Sequence, residues 1–236
     1  MTAYKVIVCN SPHWRQHEAV TLGVSVPSPN WQGDKLASIL NFAAANFQII
    51  RIDVSDALYR HGFIAQGLTD SDALCRANNM GAKWLEQNAD AIGSLRIKPM
   101  IVRWAEWYSH PDYQETLAGF QSAYDSNSVL KNALQNDIMA FYRRRNRPAT
   151  EKEFAGSLNF FIEELAVITI QTRELPGVKF YPGYEPHSFK IVKSGLVPEA
   201  PSGLNKEQFA RLKFQSRPNN RPKTTLKHKH FLGAGM

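Results

Sequence analysis

The chain has 236 residues, 43% of them hydrophobic, which suits one large domain with a substantial core and excludes a disordered protein. Its net charge of +7 comes from one end, since residues 201–236 hold eight lysines and arginines against the single acid Glu207 while the remainder balances. Cys9 and Cys75 fit neither a disulfide framework nor a cysteine zinc site. With no signal segment and no apolar run of membrane-spanning length, a soluble cytoplasmic protein without metal or cofactor is expected.

Residues 5–10 and 19–26 are valine-rich and end on turn residues, which predicts two strands. Residues 34–47 follow helical spacing, with Leu36, Ile39, Leu40, Ala43 and Phe47 on one face. Residues 48–54 read as a third strand, and Ser55 as the cap of a helix running toward Gly67. One long helix over 70–92, a fourth strand over 96–104 and a largely helical stretch over 111–145 come next. Thr150 opens another helix with Glu153 in the capping-box position. Residues 177–182 form a last short strand. This alternation predicts an α/β fold, a parallel sheet with right-handed crossovers flanked by helices. Periodicity stops after Pro198, so the chain divides into a domain over 1–200 and a basic, partly disordered tail over 201–236. The tail either binds a polyanion or serves only to solubilise the chain.

Two segments carry candidate chemistry. In Leu22-Gly23-Val24-Ser25-Val26-Pro27 a hydroxyl closes an apolar strand, at the carboxyl edge where open α/β sheets bind ligands, and Gly23 lets other groups approach the backbone closely. The same residues also fit a strand followed by an ordinary Ser-Pro turn. In the helix after Thr150, spacing makes Phe154, Leu158, Phe161 and Leu165 one core stripe. Glu163 then faces water, whereas Glu164, a turn beyond Phe160, borders a crevice beside the core. A partly exposed helix glutamate is the plainer account of Glu164. No histidine among His13, His17, His61, His110 and His187 stands out as a base for Ser25.

Taken together, these segments resemble the tRNA-dependent cyclodipeptide synthases. Leu22-Gly23-Val24-Ser25 matches the family's strand motif, Phe160, Glu164 and Ala166 occupy its aromatic-x-x-x-Glu-x-Pro signature, and Leu175-Pro176-Gly177-Val178 resembles its turn before a tyrosine. Tyr181-Pro182 and Ser28 both fit the subfamily marked by Tyr-Pro. The chain departs from the pattern in having Phe160 for tyrosine, Ala166 for proline, Ala19 where His is frequent, and only Arg76 and Lys83 on the helix that is arginine-rich in some members.

The resemblance implies a Rossmann-like parallel sheet similar to the catalytic domains of class I aminoacyl-tRNA synthetases. It also implies a ping-pong reaction of two aminoacyl-tRNAs, with Ser25 acylated first and a dipeptidyl-enzyme closing into a cyclic dipeptide. By the same resemblance Ser25, Glu164 and Tyr181 are catalytic, and Thr21, Gly23, Ser28, Ile50, Phe160 and Val167 line the substrate. Arg143, Arg144, Arg145 and Arg147, with the tail, are candidates for tRNA phosphates. A monomer is expected. A serine hydrolase or acyltransferase and a non-catalytic tRNA-binding protein are the competing functions. The first lacks the second glycine of a nucleophile elbow.

Overall fold

The computed structural model describes residues 3–216. In chain order its elements are β1 (Tyr4–Cys9), β2 (Ala19–Val24), α1 (Gly33–Asn46), β3 (Ile49–Val54), α2 (Arg60–Ala65), α3 (Asp70–Gln87), α4 (Ala89–Gly93), β4 (Met100–Arg103), α5 (Tyr113–Ser126), α6 (Ser128–Arg143), α7 (Glu151–Glu174), β5 (Val178–Tyr181), α8 (His187–Lys193) and β6 (Gln208–Ser216). The sheet order is β1-β6-β5-β2-β3-β4. Neighbours from β6 to β4 are parallel, and β1 lies antiparallel along β6.

All six residues of β2 are buried, as expected of a parallel strand covered on both faces. Its register sets Val20, Leu22 and Val24 beside Ile50, Ile52 and Val54. These residues join Leu36, Ile39, Leu40 and Trp84 in one apolar core against α1 and α3. The opposite face carries Thr21 and Gly23 beside Arg51 and Asp53, with Lys179 on the other side of Thr21. This polar face meets α7, where Arg51 donates to the Gln171 carbonyl at 3.3 Å.

Several boundaries differ from the sequence reading. Residues 208–216, assigned to the tail, form β6 inside the sheet. The folded domain therefore runs past residue 200, and the basic residues Arg217, Arg221, Lys223, Lys227 and Lys229 lie outside the described residues. The sheet is accordingly mixed rather than wholly parallel. Asp56, not Ser55, caps the turn after β3, accepting from the Ala57 amide at 2.8 Å. The helix expected over 70–92 breaks at Asn88, whose side-chain amide donates to the Trp84 carbonyl at 2.7 Å, a local bond that competes with helix continuation. The capping box of Thr150 and Glu153 is present.

The largest difference concerns α7, where every residue from Leu165 to Thr172 is buried. Glu163, expected in water, is only 1% exposed, and Glu164 is half-buried. A stripe argument assumes one wet face, whereas α7 is enclosed by α2, α5 and α6.

Candidate active site

From β2 the chain passes through α1 to β3 on one side, and later reaches β5 on the other. β2 is thus the point at which strand order reverses, where open α/β sheets form their ligand crevice beyond the carboxyl ends. Ser25 is the first residue past β2. Its carbonyl accepts from the Ser28 amide at 2.9 Å, and the Val24 carbonyl accepts from Ser55, also at 2.9 Å. These bonds fix the turn that presents the serine.

The Ser25 Oγ lies 2.5 Å from the Tyr59 hydroxyl. Tyr59 ends the short 3-10 turn that leaves β3, so the two oxygens come from the carboxyl ends of adjacent strands. Tyr181, the last residue of β5, reaches the same place from the other flank of β2. Burial raises the pKa of its phenol and the Glu164 charge adds to this, while a hydrogen bond with Ser25 and the Arg144 charge oppose it. Tyr59 is raised by burial as well, against the hydrogen bond from Ser25, with Tyr181 and Glu164 adding to the rise. Both phenols therefore stay protonated at neutral pH.

Glu164 lies near enough for its carboxyl to influence both phenols. Burial pushes its carboxyl up to about 7, the Lys179 ammonium pulls it down, and Glu207 and Asp137 push it further up. Lys179 crosses directly over Gly23, where a Cβ would stand 2.9 Å from the lysine Cε and 3.9 Å from a Tyr181 ring carbon. A side chain at position 23 would therefore have to push the end of Lys179 aside. Phe160 packs edge-on against Tyr59 with ring centroids 5.8 Å apart.

Of the residues selected from the sequence, Ser25, Glu164, Tyr181, Gly23 and Phe160 converge on this cluster. Ser28 supports the turn and its hydroxyl accepts from the Asn30 amide. Thr21 lies deeper on the same face, lining a small cavity with Arg51, Gln171, Lys179 and Glu207. Ile50 does not reach the site, because strand alternation turns it into the apolar core on the other face. Val167 packs beneath the 3-10 turn against Ala57, Leu58 and Trp104.

The four arginines divide. Arg144 and Arg145 are exposed and near enough to bias Tyr181 and Tyr59 respectively. Arg147 instead holds Glu153 through both terminal nitrogens, at 2.8 and 2.7 Å. Arg143 is exposed on the last turn of α6.

Sequence reasoning missed Tyr59, Lys179 and the buried cluster around Glu163. That carboxylate accepts from Arg60 at 2.9 and 2.6 Å, from the Trp104 indole at 2.8 Å and from Tyr108 at 3.0 Å. His61 is also bonded to it at 2.8 Å. The signal available for Tyr59 was its place just beyond the strand after Ser25, since site residues gather at the carboxyl ends of neighbouring strands.

A mixed α/β sheet with a serine, two phenols and a carboxyl gathered near its switch point is a Rossmann-like arrangement. The family model for cyclodipeptide synthase matches residues 8–180, and the chain belongs to that family. Comparison with curated proteins returned no match. Among solved structures, a cyclodipeptide synthase from Fluoribacter dumoffii superposes with TM-score 0.81 at 24% identity, covering 92% of this chain and 100% of that one. A Mycobacterium tuberculosis protein, described as showing that cyclodipeptide synthetases are related to type I tRNA synthetases, gives 0.70 at 14% identity over 91% and 94% of the two chains. A cyclodipeptide synthase from Candidatus Glomeribacter gigasporarum, bound to Phe-tRNAPhe, gives 0.64 at 16% identity over 89% and 92%. Among the described residues no helix is long and apolar enough to cross a membrane, and no acidic, histidine or cysteine cluster is placed to hold a metal.

Proposed function

We propose that the protein condenses the aminoacyl groups of two aminoacyl-tRNAs into a cyclic dipeptide, through an aminoacyl-enzyme on Ser25. The observation that carries this reading is the convergence of the Ser25 hydroxyl, two protonated phenols and the Glu164 carboxyl at the carboxyl end of β2. Aminoacyl-tRNA is an activated ester, so the reaction needs no ATP once that substrate is bound. The Glomeribacter relative has Phe-tRNAPhe bound, which favours the same substrate class here. Cytoplasmic tRNA would then be its partner. Tyr181-Pro182 and Ser28 favour the Tyr-Pro subfamily.

In this reading Ser25 Oγ attacks the ester carbonyl, a new serine ester forms, and the tRNA leaves with a proton on its ribose oxygen. Glu164 holds the α-ammonium of the bound aminoacyl group. Its pKa of about 7 lies close to that of an α-amine, roughly 7.7–8.0, so it accepts the ammonium proton at little cost. The freed amine attacks the ester of the second aminoacyl-tRNA, which leaves a dipeptidyl group on Ser25 and releases the second tRNA. The terminal amine then closes on the serine ester, and Tyr181 carries a proton to the departing Oγ. Arg144 and Arg145, exposed and near the two phenols, supply phosphate contacts, with Arg143 preceding them in the chain as a third exposed cation.

The serine hydrolase alternative loses ground, because the Ser25 hydroxyl meets Tyr59 rather than a histidine and His61 is bonded to Glu163. The test is incubation with radiolabelled aminoacyl-tRNA. Label should remain on the wild-type protein and be absent from Ser25→Ala, and mass spectrometry of medium from an expressing bacterium should show a diketopiperazine. Equal labelling of both proteins, or none of either, would refute the reading.

A further inference from the structure

The proton on Ser25 has to go somewhere, and the shortest approach to that oxygen is made by a residue outside the sequence motifs. We propose that Tyr59 is a catalytic residue, relaying the Ser25 proton to the departing ribose oxygen during acylation, which rests on the reading of Ser25 as nucleophile. The Tyr59 hydroxyl is 2.5 Å from Ser25 Oγ, whereas Phe160 stands edge-on to the Tyr59 ring with no hydroxyl to offer.

The segment that carries Tyr59 is clamped on both sides. Upstream, Asp56 accepts from the amides of Ala57 and Trp104, at 2.8 and 3.2 Å, and from Arg103 Nε at 2.7 Å. Gly81 makes room for this carboxylate, because a Cβ there would overlap Asp56 Oδ2. Downstream, Arg60 and His61 are tied to Glu163. The phenol is therefore held in place before substrate arrives, and a group positioned in advance contributes most to proton transfer.

The step balances without another reagent. The bond from Ser25 Oγ to the acyl carbon forms as the bond from that carbon to the ribose oxygen breaks. The Oγ proton moves to the Tyr59 oxygen while the Tyr59 proton moves to the ribose oxygen, so tyrosine ends neutral. Burial favours this role over that of a base, since it keeps the phenol protonated.

The experiment is single-turnover acylation of the full-length protein by radiolabelled aminoacyl-tRNA, with binding and thermal melting measured in parallel. Tyr59→Phe keeps the ring and its packing on Phe160. It should melt and bind aminoacyl-tRNA as the wild type does, while acylating Ser25 about 10²-fold more slowly, the usual scale of a lost acid–base group. Phe160→Leu, which disturbs the packing but keeps the hydroxyl, should show a smaller loss. A wild-type acylation rate in Tyr59→Phe would overturn the proposal, as would an equal loss in Phe160→Leu, which would assign the effect to packing. A wild-type protein that never takes label at Ser25 is a different outcome, in which the nucleophile reading itself fails and the relay with it.

Discussion

The carboxylate of Glu163 grips both terminal nitrogens of Arg60, at 2.9 and 2.6 Å, inside a cage completed by His61, Trp104 and Tyr108. Neighbouring glutamates on one helix thus have different surroundings: Glu163 fastens α7 to the segment after β3, whereas the Glu164 charge bears on the phenols of Tyr59 and Tyr181. Burial opposes ionisation of Glu163, but the hydrogen bonds from His61 and Arg60 and the Arg60 charge outweigh it and hold the pKa at about 2.

Glu163→Gln should accordingly be strongly destabilising, whereas the sequence reading implies a silent change at a wet position. Replacing one oxygen by an amide sets donors against Arg60 and His61, and breaking a buried ion pair costs about 3–5 kcal/mol. The native pKa lies below the ordinary value of 4.5, so the stabilisation is complete above pH 4.5 and is lost as pH falls toward 2. Denaturant titrations of both proteins at pH 7 and pH 3 check this, and the gap between them should narrow at the lower pH.

Glu164→Gln should behave in the opposite sense. A carboxyl raised from 4.5 to about 7 favours the folded state below pH 4.5, and that benefit is lost as pH rises through 7. The glutamine variant should therefore be more stable than wild type at pH 8, by up to about 3 kcal/mol at 1.36 kcal/mol per pKa unit, and no more stable at pH 4. Diketopiperazine formation should nevertheless collapse, and the wild-type rate should fall below pH 7. Melting curves and product assays across pH 4–8 separate the two effects.

Tyr181→Phe should lower cyclic product by roughly 10²-fold or more, because a protonated phenol disappears from beside Ser25. Phe160→Leu removes only packing next to Tyr59 and Phe161, so its loss should be smaller. Product yield per folded protein ranks them, and the reverse order would move the essential hydroxyl chemistry away from Tyr181.

Arg144→Ala and Arg145→Ala should weaken aminoacyl-tRNA binding and flatten its salt dependence, by about 0.7–0.9 in log–log slope for each phosphate no longer neutralised. Arg147→Ala should leave that slope nearly unchanged, since its guanidinium is committed to Glu153. Truncation after Ser216 should keep the fold and remove the slope contributed by residues 217–236. Truncation at residue 200 should unfold the protein, because it extracts β6 from between β1 and β5. Filter binding across a salt series, with circular dichroism on each truncation, tests these variants.

Local patterns in the sequence determined a good deal. Valine-rich runs closed by turn residues gave β1 and β2, short apolar segments between helical stretches gave β3 and β5 to within a few positions, 3.6-residue spacing gave α1, and Thr150 with Glu153 gave the start of α7. Ser25 was picked out by its place at a strand end, where ligand groups collect in an α/β fold, and Tyr181 only by its resemblance to the family's Tyr-Pro marker. Tertiary structure alone decided the rest. The strand β6 has its place because β5 and β1 offer edges far away in sequence, and no local periodicity announces such a pairing. The assignment of Glu163 to the interior depended on Arg60, His61 and Trp104, roughly a hundred positions or fewer away in the chain. Burial of a charge depends on partners, which sequence spacing does not reveal. Tyr59 reached Ser25 for the same reason, since only the parallel register of β2 and β3 brings their carboxyl ends side by side.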